Sequence, residues 1–192
     1  MNIGIRLNIG ISGPIGAGKT TAAKYLATTY GLSYLRYSEV LAEISPGQAV
    51  DRESLRKFGS DIMSRGLQSS LNQHLLRKML SGTNYVIDGL RHPIDFEALS
   101  KRQPFRLFYI DASSHVRWQR LKDRDGLTSW KQFQTVERHP VEAYLPLLRA
   151  TASVLQNEGT ILELQDELRK MFVESLNSNC ASVTDKPSEE KN

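Results

Sequence analysis

The chain has 192 residues, 40% of them apolar, which is enough for one domain with a real core. No run approaches the ~18 consecutive apolar residues of a membrane helix, and the N-terminus leads straight into an apolar strand without a secretory h-region. The single cysteine, Cys180, excludes a disulfide framework, so a reducing cytoplasm is expected, and a net charge of +4 without any basic block suits anionic small molecules as well as nucleic acid.

In chain order, the first apolar run, Leu7–Ser12, reads as a strand. It enters Gly13-Pro14-Ile15-Gly16-Ala17-Gly18-Lys19-Thr20, which is G-x-x-x-x-G-K-T, and a helix-like stretch, Lys19–Tyr30, follows. Strand, tight loop and helix N-terminus together make a phosphate cradle. Glycines let backbone N–H groups curl round an anion, and the helix end adds partial positive charge. Residues Gly13 to Thr20, with Thr21, are therefore expected to bind a nucleotide. Lys19 reaches its terminal phosphates and Thr20 offers a hydroxyl to Mg²⁺.

A second strand is expected at Tyr34–Tyr37, then helices at Arg52–Arg65 and Gly66–Ser81, with Ser45–Asp51 as a mobile loop. Residues 36–81 are the expected acceptor-binding segment. Its candidates are Arg36, Ser38, Glu39, Arg52 and Arg56, each of which has surface residence on a helix as the plain alternative. A phosphate acceptor needs arginines and no base, whereas a hydroxyl acceptor needs a carboxylate to take its proton. Tyr34, Tyr37 and Phe58 offer rings for a base, with core packing the expected fate of at least two.

The strand Asn84–Asp88 ends in a carboxylate beside the phosphate loop, where Asp88 is expected to hold a metal-bound water. ATP-hydrolysing motors commonly place Glu next, and here the next residue is Gly89, which favours transfer to a bound acceptor. Arg91 leaves the same strand toward the ligand crevice and suits a phosphate. Helix Pro93–Lys101, strand Phe105–Ile110 and helix Ser114–Asp123 follow. Arg117, Arg120 and Arg124 share one helical face by their spacing, and such a ladder supplies cations to a transferring phosphoryl group unless Asp123 and Asp125 merely neutralise it. Arg138 is a weaker second arm across a 126–137 loop, and 117–140 reads as a lid. The segment His139-Pro140-Val141-Glu142 reads as a proline-initiated turn of helix. Strand Ser153–Gln156 and an amphipathic helix Thr160–Leu176 close the domain, with 177–192 as a disordered polar tail. Alternating strands and helices give an α/β domain with a five-stranded parallel sheet.

These motifs resemble the adenylate-kinase-like P-loop kinases over residues 8 to about 176. Asp88-Gly89-Leu90-Arg91 is similar to the D-G-x-P-R of nucleoside monophosphate kinases, one residue shorter. Arg120-Leu121-Lys122-Asp123-Arg124-Asp125-Gly126-Leu127 resembles the segment leading into the lid of dephospho-CoA kinases. Asn157-Glu158-Gly159-Thr160 resembles the junction that touches adenine in those enzymes. The second strand departs from them, carrying Tyr37-Ser38-Glu39 in place of D-x-D.

The resemblance implies a three-layer α/β/α P-loop sandwich with acceptor-binding and lid segments. It also implies ATP as donor with Mg²⁺, and a small-molecule phosphate acceptor, most simply a nucleoside monophosphate, with dephospho-CoA the runner-up. Lys19, Asp88, Arg120 and Arg124 are then catalytic, Asn157 and Gly159 join the nucleotide site, and Arg36, Ser38, Glu39, Arg52 and Arg91 hold the acceptor. No nucleic-acid partner is expected, and the chain is a monomer or homodimer. A regulatory NTP-binding module is the alternative from another class, and it has no need of lid arginines.

Overall fold

The computed structural model describes residues 7–45, 47, 51–101 and 104–181. Five strands, β1 (Asn8–Ser12), β2 (Ser33–Arg36), β3 (Tyr85–Leu90), β4 (Phe105–Asp111) and β5 (Ser153–Gln156), form one sheet in the order β2-β3-β1-β4-β5. All four pairings are parallel. The connections are helical: α1 (Lys19–Tyr30), α2 (Tyr37–Ile44), α3 (Arg52–Ser64), α4 (Gln68–Arg77), α5 (Pro93–Ser100), α6 (Ser114–Asp125), α7 (Trp130–Glu137), α8 (Leu145–Thr151) and α9 (Ile161–Ala181). A parallel sheet must be covered on both faces, and its strands read as nearly continuous apolar runs for that reason.

The two faces make two cores. Ile9, Ile11, Val86, Phe108 and Ile110 pack with Ala22, Ala23 and Leu26 of α1 and with Leu164, Leu168 and Phe172 of α9. Tyr85, Ile87, Leu107 and Tyr109 pack on the other side with residues of α2, α4, α5 and α8. This is the expected three-layer sandwich. The chain leaves β1 toward the β3–β2 side and later crosses to β4 and β5. The carboxyl end of β1 is therefore the point where the topology reverses, and crevices form there in open α/β sheets.

Several elements differ from expectation. Tyr37 starts α2 and does not end β2; Tyr37 and Val40 are buried and Leu41 and Ile44 partly so, a 3.6-residue period that fits a helix. The 126–137 stretch is not a plain loop, because Ser129 and Gln132 form a capping box that starts α7. Pro140–Glu142 is a single 3-10 turn followed by α8. Helix α9 continues past Leu176 to Ala181, and the rest of the expected tail lies outside the described residues, as does most of the Ser45–Asp51 loop. Among the described residues no helix is long and apolar enough to cross a membrane.

Phe172 is fully buried and stacks on Tyr30 at 4.0 Å between ring centroids, clamping α9 to α1. Truncating it leaves a cavity between helices that cannot close. Phe172→Ala should lower stability by about 3–5 kcal/mol, read from urea denaturation with an unchanged m-value.

Candidate active site

The phosphate loop hangs from the carboxyl end of β1 and is braced from outside. Gly13 has φ of +136°, and a Cβ there would lie 2.0 Å from the Ile110 carbonyl oxygen, so the loop leaves the sheet where no side chain fits. Asn157, buried at the β5–α9 junction, donates from Nδ2 to the Ala17 carbonyl at 2.8 Å. Arg117 donates from Nη1 to the Ile15 carbonyl at 3.3 Å. Lys19 sits inside this frame, its Nζ donating to the Pro14 carbonyl at 2.8 Å. Burial first, and the nearby Arg91 second, push its pKa down to about 7, with Glu142 and Asp88 opposing.

Asp88 faces the loop from β3. The β1–β3 register pairs Ile11 with Asp88 and then Ser12 with Leu90, so Gly89 is an extra residue in the ladder with φ of +93°. Glutamate at that position would be strained. Asp88 is 2% exposed, and its Oδ2 accepts from Thr20 Oγ1 at 2.7 Å and from Tyr34 Oη at 3.0 Å. Arg36 Nε lies 3.5 Å from the same oxygen. Burial, then the Asp88 charge, raise the Tyr34 phenol well above its usual range, which keeps it a donor. A hydroxyl beside a carboxylate is the donor set by which a protein holds Mg²⁺ that takes its remaining ligands from phosphate and water. Thr20 and Asp88 fit that role, and no cluster of three metal-binding side chains occurs among the described residues.

A cavity of about 320 Å³ opens from the loop toward α2, α3 and α4. Its wall carries Lys19, Arg36, Arg52, Arg56, Arg91 and Arg124 against the carboxylates of Asp88, Asp95 and Glu142. Each carboxylate is engaged. Glu142 Oε2 accepts from Arg91 Nη1 at 2.7 Å, and Arg91 also donates to the Gly13 carbonyl at 3.1 Å. Asp95 caps α5 and accepts the backbone N–H of Arg91 and His92. On the rim, Asp125 lies 2.7 Å from Arg124 and 3.5 Å from Arg52. The Arg52 pKa is lowered by burial and by Arg124, as expected of cations crowded together.

Of the expected acceptor residues, Arg36, Ser38, Arg52 and Arg91 line this cavity. Glu39 does not: it is exposed on the outer side of α2, whose buried side carries Tyr37 and Val40. The arginine ladder also divides. Arg124 lines the cavity, but Arg117 is buried, ion-paired with Glu137 and set over the Phe133 ring at 5.4 Å, so it is a structural strut between α6 and α7. Arg120 donates from Nη2 to the Asn157 carbonyl at 3.0 Å, outside the cavity and behind the loop, while its Nη1 is buried without a partner among the described residues. Gly159 is exposed, and Arg138 is exposed as well. Tyr34 and Tyr37 spend their hydroxyls on Asp88 and Asn72, and Phe58 packs on the second core.

Residues 9–138 match the family described as AAA domain. The chain belongs to that family. Among curated proteins it is similar to the dephospho-CoA kinase of Methylococcus capsulatus, 32% identical over 99 residues that cover 50% of this chain and 48% of that one. It is also similar to the dephospho-CoA kinase of Coxiella burnetii, 25% identical over 81% of this chain and 89% of that one. The match thus spans about half the length of the first relative and most of the second. A solved gluconokinase from Sinorhizobium meliloti superposes with a TM-score of 0.62 at 13% identity, covering 91% of this chain and 96% of that one. The fold is that of P-loop kinases, as the phosphate loop and strand order indicated.

A bound phosphate chain would supply the charge that Lys19 lacks and raise its pKa from about 7 toward its usual value. Above pH 7, ATP binding should therefore take up protons, and affinity should fall as pH rises. Calorimetry at pH 8 in buffers of different ionisation enthalpy should show uptake of a sizeable fraction of one proton per ATP, lost in Lys19→Met.

Proposed function

We propose that the chain transfers the terminal phosphoryl group of ATP to a small phosphorylated acceptor, a nucleoside monophosphate of the ribo or deoxy series. The cavity carries the proposal: six cations line one pocket continuous with the phosphate loop, and every facing carboxylate is already paired or hydrogen-bonded. Such a pocket suits two anions, a donor and an acceptor, and a phosphate acceptor is its own nucleophile. Lys19 and the loop N–H groups hold the donor phosphates. Arg36, Ser38, Arg52 and Arg91 hold the acceptor within residues 36–81. Arg124 brings charge from the lid, 117–140, where the Arg117–Glu137 pair and the Trp118, Trp130 and Phe133 rings tie α6 to α7. Arg120 and Asn157 brace the loop from the side where adenine is expected. Mg²⁺, bound by Thr20 and through water by Asp88, supplies further neutralisation of the phosphates. Gly89 leaves no carboxylate beside Asp88 to activate water. The reading places the enzyme in the cytoplasm as a monomer or homodimer.

Dephospho-CoA is the second reading, favoured by the two relatives. A ribose hydroxyl acceptor needs a base, and Asp88 or Glu142 would have to release its present partners to serve. An ATP-consumption screen across monophosphates, nucleosides and dephospho-CoA tests both. ATP loss should be slow alone and rise strongly with one acceptor. Fast hydrolysis indifferent to every acceptor would end the kinase reading.

Two sets of variants check the roles. Lys19→Ala should keep the fold and lose roughly 10²–10⁴ in turnover, because it removes charge aimed at the transferring group. Arg91→Ala should chiefly raise the acceptor KM, while Arg124→Ala should chiefly lower kcat. Steady-state kinetics with each substrate varied in turn separates these outcomes, and the reverse pattern would exchange the two assignments.

A further inference from the structure

Glu142 reaches the cavity from a tightly bonded turn. Pro140 starts it, His139 Nδ1 accepts the Val141 N–H at 3.3 Å, and the Glu142 N–H returns to the His139 carbonyl at 2.8 Å. Val141 is buried, and the turn packs on α3. The Glu142 side chain is 8% exposed and meets a single nitrogen of Arg91. That nitrogen, Nη1, donates to Glu142 Oε2 at 2.7 Å and to the Gly13 carbonyl of the phosphate loop at 3.1 Å. The other end of Arg91 is fixed as well, its backbone N–H donating to Asp95 Oδ2 at 3.0 Å. Arg91 Nε and Nη2 donate to nothing among the described residues, and unlike Arg56 Nε they are not sealed from solvent.

We propose that Glu142 is a positioning residue of the acceptor site: it holds Arg91 through Nη1, leaves the Nε–Nη2 edge of the guanidinium for the acceptor's phosphate, and stays in place during the reaction. The inference rests on the phosphorylated-acceptor reading above and deepens it. Two N–H groups side by side on that edge match two oxygens of one phosphate, the bidentate geometry that suits arginine. An arginine free to swing would lose that freedom on binding, whereas one already pinned at both ends has little left to lose. Carboxylate and phosphate use different edges of the guanidinium, so the acceptor need not displace Glu142. The carboxylate also lets two cations share the cavity, because at Lys19 its charge opposes that of Arg91. Through the same Nη1, the arginine that receives the acceptor is tied to Gly13, where the phosphate loop begins.

The test is steady-state kinetics with ATP and the nucleoside monophosphate that most accelerates its consumption by the wild type. Glu142→Ala should raise the KM of that acceptor about tenfold or more, and by a larger factor than it lowers kcat. Glu142→Gln returns an oxygen to Nη1 without the charge and should recover part of the loss. In an Arg91→Ala background, Glu142→Ala should add little to KM, because a residue that acts through another has nothing left to position. If Glu142→Ala does not fold, Glu142→Asp takes its place: the carboxylate is kept but drawn back by one methylene, and KM should again rise. An acceptor KM that is unchanged in the decisive variant would overturn the inference. A lowered KM would do the same, by showing that Glu142 competes with the acceptor for Arg91. A collapse of kcat at constant KM in both the Ala and the Gln variants would make Glu142 a base, and additive effects in the Arg91→Ala background would show that it does not act through Arg91. Each of these results strikes only the role of Glu142, since the wild type still transfers to a monophosphate. If no monophosphate accelerates ATP consumption by the wild type, the reading beneath the inference fails and takes it along.

Discussion

Six basic side chains share one cavity at the carboxyl end of β1, and their mutual repulsion is the constraint that its carboxylates and any bound anion offset. Five of the six are held by a named partner, and Arg56 Nε is buried without a hydrogen-bond partner among the described residues. Glu142 holds Arg91, Asp125 lies between Arg52 and Arg124, Asp88 faces Arg36, and Lys19 has only a carbonyl. Burial first and a neighbouring cation second lower the pKa of both Lys19 and Arg52. A protein that keeps such a cluster sacrifices stability in the ligand-free state and regains it when anions bind, which is the usual relation between strain and function at an active site.

The scaffold holds this cluster from several directions. The phosphate loop is anchored to α6 through Arg117 and to the β5–α9 junction through Asn157. The 3-10 turn at Pro140–Glu142 brings a carboxylate from beyond α7 back to Arg91. Asp95 ties the start of α5 to the start of α4 through Gln68. The cavity is therefore walled by parts of the chain as far apart in sequence as Ile15 and Glu142. The bulge at Gly89 also has a consequence for chemistry. It aims Asp88 at Thr20 and occupies, with a residue that has no side chain, the place where a hydrolytic carboxylate would stand.

Much of this was legible from local pattern. The phosphate loop carries its identity in spacing alone, because curling backbone round an anion demands glycines and a lysine at fixed offsets. Alternating apolar runs and periodic stretches placed all five strands and six of the helices within a few residues. Helices α2, α7 and α8 were missed although two left signals: the Tyr37, Val40, Leu41, Ile44 period and the Ser129–Gln132 capping box. Both segments are short, at eight residues each, and short periods are easily read as strand ends or loops.

The residues that face one another were a different matter. Helical spacing placed Arg117, Arg120 and Arg124 on one face, but α6 packs against α7 on one flank and the β5–α9 junction on another. Neighbours on one stripe therefore met Glu137, Asn157 and the cavity respectively. Glu39 and Arg36 lie three residues apart, yet α2 begins between them and turns the carboxylate to solvent. Glu142 and Gln68 carry no local motif, and their roles come from partners 51 and 27 positions away. The sequence by itself determined the phosphate loop, the parallel α/β order and the excess of cations, because these follow from backbone geometry and composition over short distances. Only the tertiary structure decided which cations reach the cavity and which carboxylates restrain them, because charge pairing depends on distance through space, and that is set by how the layers pack.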